Sequence, residues 1–204
     1  MSPATSLRVV RHVLLACALA AVSSCVTVEG TLKADGSGTL EIVYPVMPTT
    51  TERLEKRRLT SPQVTLDSLS IREDGMATAK LSFDDPAKLT TVDMFRTVRI
   101  DRHREGEEER ITITLTNAIN KEVKEEGKPG PKFTFHLPGK VLEANRNATI
   151  DGNTVTWRFT LAEFLNQKTV DLTMRYQVPS TGEAAPAGAA SKPAGGDKEP
   201  PPPK

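Results

Sequence analysis

Apolar and polar residues alternate along most of residues 25–178, and a period of two is the pattern of a β-strand with one buried face. Threonine is frequent on the opposite faces, which is typical of antiparallel sheets that are covered on one side. The pattern predicts about nine strands. The longest regular run has apolar side chains at Val170, Leu172, Met174, Tyr176 and Val178, and other runs start near Val26, Leu40, Ala77, Ile111, Phe133 and Val155.

Three sequence signals predict short helices between the strands. Segments this short need to pack on a sheet to be stable. Together the two patterns predict an α+β fold, mostly β, in a single domain over residues 25–178. The predicted helices are Arg53–Arg58 after the capping box Thr49-x-x-Glu52, a segment from Asp85-Pro86 to about Val92, and Leu161–Asn166 after the capping box Thr160-x-x-Glu163.

The two ends of the chain differ in composition from this body. Arg8 and Arg11 precede the apolar stretch His12–Val22, which is too short to span a bilayer but fits a secretory signal. Residues 179–204 are rich in Pro, Ala, Gly and Lys, a composition that predicts a disordered tail. The chain therefore divides into a signal over residues 1–24, a folded domain over 25–178 and a tail over 179–204.

The end of the signal, Val22-Ser23-Ser24-Cys25, resembles the lipobox of bacterial lipoprotein precursors. The resemblance implies that Cys25 carries acyl chains such as palmitate, that cleavage occurs just before it, and that the mature protein is anchored to a membrane of the bacterial cell envelope. Because residue 26 is Val and not Asp, it implies the outer membrane if the organism is Gram-negative. Two alternatives remain: an ordinary signal in which Cys25 is incidental, and acylation of Cys17, which leaves a shorter apolar stretch.

The order of motifs in the body resembles the LppM-like domain of bacterial envelope lipoproteins. A strand directly after Cys25 leads into Asp35-Gly36-Ser37-Gly38, and Pro138-Gly139-Lys140-Val141 and the run Gly152–Phe159 follow much later. The resemblance implies a curved antiparallel sheet with helices that binds lipid or another envelope component, such as an envelope protein. Many members also have a C-terminal membrane helix, whereas this chain has a polar tail, so its anchoring depends on Cys25 alone.

Composition excludes several classes of function. The 27 basic and 26 acidic residues nearly cancel, whereas a nucleic-acid-binding surface needs a basic stripe, so we expect no nucleic-acid partner. Both cysteines, Cys17 and Cys25, lie in the first 25 residues, which leaves the body without disulfides or thiolate metal ligands. We therefore expect neither a cofactor nor a metal site.

The candidate chemistry of the body consists of two histidines and one basic helix. His103 and His136 both fall on the polar side of their strands, and we interpret them as surface residues. The basic cluster is either a solvated helix face or a contact for anionic lipid headgroups. It contains four side chains of the first predicted helix: Arg53, Lys56, Arg57 and Arg58.

These patterns favour a membrane-anchored, non-enzymatic binding or structural module. The alternative is an envelope enzyme whose site is assembled by folding from scattered polar residues around His136 or His103. Trp157 shares one side of its strand with Val155 and Phe159, so we expect the indole to be shielded from water on the apolar side of the sheet.

Overall fold

The computed structural model describes residues 26–117, 123–124 and 127–179, and these residues are mostly in β-strands. The predicted signal, Cys25 and all of the predicted tail except Pro179 lie outside the described residues. The described strands are β1 Thr27–Leu32, β2 Gly38–Pro45, β3 Val64–Ile71, β4 Met76–Phe83, β5 Val98–Glu105, β6 Glu108–Thr116, β7 Pro129–His136, β8 Val141–Ala144, β9 Thr149–Asp151, β10 Thr154–Thr160 and β11 Thr169–Gln177.

Seven of these strands form the larger sheet, named sheet A, in the order β3-β4-β2-β1-β7-β10-β9. Its neighbouring strands are antiparallel except β1 and β7, which run parallel with Thr27 beside Lys132 and Thr31 beside His136. A parallel pair needs a long connection, and here five other strands, β2 to β6, lie between the two partners in the chain.

The other four strands form sheet B, in the antiparallel order β5-β6-β11-β8. In β11 the buried Val170, Leu172 and Met174 alternate with the partly exposed Asp171 and Thr173. The buried apolar cluster draws residues from both sheets, so the apolar faces of sheets A and B pack on each other. The predicted class, α+β and mostly β, is confirmed.

The prediction of one curved antiparallel sheet of about nine strands is wrong. The described residues form two sheets with eleven strands, and one strand pair is parallel. Alternation indicates only that one face of a strand is buried. It does not show whether helices or a second sheet cover that face. The chain passes from sheet A to sheet B between β4 and β5, through two short 3-10 segments, Pro86–Thr91 and Asp93–Phe95.

All three predicted helical segments are present, and two of their three start signals are confirmed. The carboxylate of Asp85 accepts the backbone N–H of Ala87 at 3.0 Å at the start of the first 3-10 segment. Helix α2, Leu161–Leu165, begins with a complete capping box, in which Thr160 and Glu163 each accept a backbone N–H from the other. These signals act within a few residues, so they need no knowledge of the fold.

The capping box predicted at Thr49 and Glu52 is wrong. Helix α1 is Glu52–Leu59, and its N-cap is Thr51, whose hydroxyl accepts the N–H of Leu54 at 3.3 Å. Each of residues 49–51 is a threonine, so the local sequence offers more than one start. The fully buried Glu55 and Leu59 fix which face of α1 meets the rest of the domain.

Trp157 lies in the core, as the alternation in β10 predicts. Its side chain is 1% exposed, and its ring meets that of Phe135 edge to face with centroids 6.1 Å apart. The indole N–H donates to the carbonyl of Asn145 at 3.0 Å. The buried tryptophan therefore has its polar atom satisfied as well as its apolar surface covered.

Candidate functional site

The basic cluster predicted on α1 is exposed, but two of its four cations are already paired. The Lys56 ammonium lies 2.7 Å from the carboxylate of Glu52, four residues earlier on the helix. The Arg58 guanidinium lies 2.7 Å from the carboxylate of Glu55. These pairs reduce the positive charge that the helix presents to a partner.

Glu55 is the reason that α1 has a fixed orientation. Its side chain is fully buried, and its carboxylate accepts hydrogen bonds from the hydroxyl of Tyr44 at 2.8 Å and from Arg58 at 2.7 Å. Burial, and then the hydrogen bond to this carboxylate, raise the pKa of Tyr44 above its ordinary value. A buried carboxylate with two donors holds α1 on β2.

Arg53 and Arg57 remain as the available cations of α1. Both are exposed, and their helical positions place them on the side opposite the buried Glu55 and Leu59. Neither makes an ion pair with any residue in the described ranges. Of the four cations in the predicted headgroup contact, these two are therefore the ones without an ion pair in the described ranges.

A second pair of cations lies on sheet A, where sequence reasoning did not find it. Lys132 on β7 and Arg158 on β10 are direct cross-strand neighbours, and Lys132 also lies beside Thr27, the first residue of β1. Both side chains lie on the polar face, because Phe133 and Trp157 occupy the buried face. Only the strand register, which joins distant parts of the chain, brings these two charges together.

The histidines lie on open surfaces. His103 is exposed on β5, an edge strand of sheet B. His136 lies on the polar face of sheet A, with Nε2 3.1 Å from the carboxylate of Glu29 and Nδ1 3.0 Å from the hydroxyl of Thr154. The structure thus gives His136 the carboxylate partner that the enzyme alternative requires, but this carboxylate is 57% exposed.

The surroundings of Thr154 do not provide for nucleophilic catalysis. Acyl transfer at a hydroxyl needs backbone N–H groups aimed at the developing oxyanion, in a site that excludes water. β10 lies between β7 and β9, and Thr154 is paired in both ladders. The backbone around Thr154 is therefore part of the sheet ladders. The hydrogen-bonded side chains of Glu29, His136 and Thr154 have the geometry of a surface network.

We expect the His136–Glu29 pair to contribute little to stability. His136→Gln should change the free energy of unfolding by less than about 1 kcal/mol, because polar contacts between exposed side chains compete with water. A double-mutant cycle with Glu29→Gln, followed by urea unfolding, measures the coupling. A coupling energy well above this value would mean that the pair is more shielded than its position on the face indicates.

An apolar cavity lies between the two sheets. Its volume is about 50 Å³, and its lining includes Leu32 and Leu40 of sheet A and Ile111 and Met174 of sheet B. Pockets that hold small ligands are much larger, roughly 300–1,000 Å³. An acyl chain could enter this space only if the sheets moved apart.

Two further features of the described residues bear on function. They contain no cluster of three or more His, Cys, Asp or Glu arranged to hold a metal ion. No helix within these ranges has the length and hydrophobicity that crossing a membrane requires.

Comparisons of the chain with models of known families, with curated proteins and with solved structures found no match. The resemblance to the LppM-like domain therefore stays a prediction from sequence motifs.

Proposed function

We propose that the protein is a lipid-anchored lipoprotein of the bacterial cell envelope that acts as a non-enzymatic binding or structural module. The observation that carries the proposal is the position of Cys25 relative to the fold. The lipobox-like Val22-Ser23-Ser24-Cys25 ends only two residues before β1 begins at Thr27. Cleavage before Cys25 would thus release the domain with all its described strands.

The anchor would be the acyl groups on Cys25. A single acyl chain binds a membrane only marginally, whereas two or three chains give stable attachment. Val26, the residue after the cysteine, supports the outer membrane as the destination in a Gram-negative organism. The exposed face of sheet A and the available cations of α1 would then be presented to other envelope components.

The proposal predicts that Cys25→Ser abolishes membrane attachment. The substituted protein should incorporate no labelled palmitate and should leave the detergent phase in a Triton X-114 partition, because the acceptor thiol is gone. Cys17→Ser is the matched control and should behave as the wild type. If Cys25→Ser still takes up palmitate while Cys17→Ser does not, acylation occurs at Cys17 and this assignment of the anchor is wrong.

A second candidate function, binding of a lipid between the sheets, is favoured by the apolar lining of the cavity. Because the cavity is about 50 Å³, this function requires an opened state of the domain. Mass spectrometry of lipids that co-purify with the unacylated Cys25→Ser protein tests it. Stoichiometric lipid in that preparation would favour this candidate, and lipid-free protein would favour binding at the surface.

A further inference from the structure

The fold begins almost at the proposed anchor. The carbonyl of Val26 already accepts the backbone N–H of Lys132 at 3.0 Å, and β1 starts at Thr27. Two residues of extended chain span at most about 7 Å, which limits the separation of the Cα atoms of Cys25 and Thr27. Acyl chains on Cys25 would therefore hold one end of sheet A close to the bilayer.

We call this end of sheet A, where β1 begins, the anchored end. β1 is a central strand, and Thr27 lies beside Val43 of β2 and Lys132 of β7. Lys132 in turn lies beside Arg158 of β10. Since adjacent strands are about 4.8 Å apart, both cations lie within roughly 10 Å of Thr27 along this row.

The two cations have no ion-pair partner among the residues that the structure describes. Glu29 lies two residues along β1 from Thr27, but its carboxylate binds His136, further from the anchored end. Like charges on directly opposed positions destabilise a sheet, and an anion between them would relieve that repulsion.

Apolar side chains are exposed beside the same end. The connection from β2 to α1 leaves sheet A there, because its first N–H, that of Val46, bonds to Gly75 in the turn before β4. In this connection and the first turn of α1, Met47 is 48% exposed and Leu54 is 38% exposed. Exposed apolar residues next to cations are typical of surfaces that lie in a membrane interface.

We propose that the anchored end is a bilayer-binding surface, in which Lys132 and Arg158 contact the phosphates of anionic lipids and Met47 and Leu54 enter the interface. The inference rests on the proposed function, because acylation of Cys25 determines which end faces the membrane. Arg53, next to Leu54, adds positive charge at the margin of this surface. The strands then stand with their far ends directed away from the bilayer.

Vesicle binding of the unacylated chain tests the surface without the anchor. The mature chain, residues 25–204 with Cys25→Ser, is sedimented with vesicles of phosphatidylcholine alone or mixed with phosphatidylglycerol. Lys132→Gln with Arg158→Gln should weaken binding to the mixed vesicles about 25-fold, since each cation near an anionic surface contributes about fivefold. Binding to phosphatidylcholine alone should be weak in all variants.

Lys33→Gln with Lys140→Gln is the matched control, because both lysines are exposed and removing them makes the same change in net charge. Lys33 directly follows β1, at the end of the strand away from the anchor. This control should weaken binding less than twofold. Equal weakening by the two pairs, or no weakening by Lys132→Gln with Arg158→Gln, would overturn the proposal, provided that circular dichroism shows both variants to be folded.

Depth measurements on the acylated chain test the orientation. After cleavage Cys25 is the only cysteine of the chain, and acylation consumes its thiol, so one introduced cysteine can be labelled with bimane. Lipids with a quencher near the headgroup should quench the label at Met47→Cys strongly and the label at Lys33→Cys weakly. Equal quenching at the two positions would refute the orientation. The absence of palmitate on Cys25 would instead refute the anchor, and the vesicle experiment on the unacylated chain would then test the surface by itself.

Discussion

Trp157→Ala should lower the free energy of unfolding by about 3–5 kcal/mol, which is the range for removal of a large aromatic side chain from a core. The indole is 1% exposed and packs on Phe135, so its removal leaves a cavity that the surrounding strands cannot fill. The carbonyl of Asn145 also loses its donor. For a domain of this size, such a loss is a large fraction of the total stability.

The loss is measured by urea unfolding followed by far-ultraviolet circular dichroism, because the substitution removes the only tryptophan. Ile150→Ala is the control, since Ile150 lies on β9 beside β10 but is 42% exposed. It should change the unfolding free energy by less than about 1 kcal/mol. A loss below about 1.5 kcal/mol for Trp157→Ala would mean that sheets A and B do not pack tightly around the indole.

Features that depend on a few neighbouring residues could be predicted from the sequence. The Asp85-Pro86 start and the Thr160–Glu163 capping box act within one turn, and the alternation in β10 and β11 correctly separates buried from exposed positions. In α1 the same local reasoning selects Thr49, whereas the N-cap is Thr51, because three successive threonines offer the same local signal.

Features that depend on which strands meet could not be predicted in the same way. The parallel pairing of β1 with β7 joins segments separated by five strands. The alternation in β1 would be the same whichever strand lay beside it, so it does not identify the partner. The proximity of Lys132 to Arg158 follows from the register of β7 with β10, so no local motif marks it. On α1 the sequence overestimates the available positive charge. A count of cations leaves out the carboxylates of Glu52 and Glu55, which lie at helical spacing from Lys56 and Arg58 and pair with them.

Raising the pH above about 10 should progressively destabilise the protein, because both of its tyrosines resist ionisation in the folded state. Burial, and then hydrogen bonding to Glu55, raise the pKa of Tyr44. Burial, and then the charge of Glu109, raise the pKa of Tyr176. Arg102, which binds Glu109, lowers the pKa of Tyr176 but does not outweigh the other two effects.

The sign of the effect follows from proton linkage. An unfolded tyrosine has a pKa of about 10, so above that pH the unfolded chain releases protons that the folded chain retains. The stabilisation is therefore complete below about pH 10 and is lost as the pH rises further. A tyrosine that ionises only on unfolding removes up to about 1.4 kcal/mol per pH unit, and the chain contains two.

Absorbance at 295 nm and circular dichroism, recorded on one sample during an alkaline titration, test this expectation. Tyrosinate should form in the same steep transition in which the β-sheet signal disappears, since ionisation requires unfolding. Tyr44→Phe and Tyr176→Phe should each make the pH dependence shallower, because each leaves one tyrosine to release a proton. Tyrosinate that forms with an ordinary midpoint near pH 10 while the β-sheet signal persists would show that the phenols ionise within the fold, and the linkage argument would then fail.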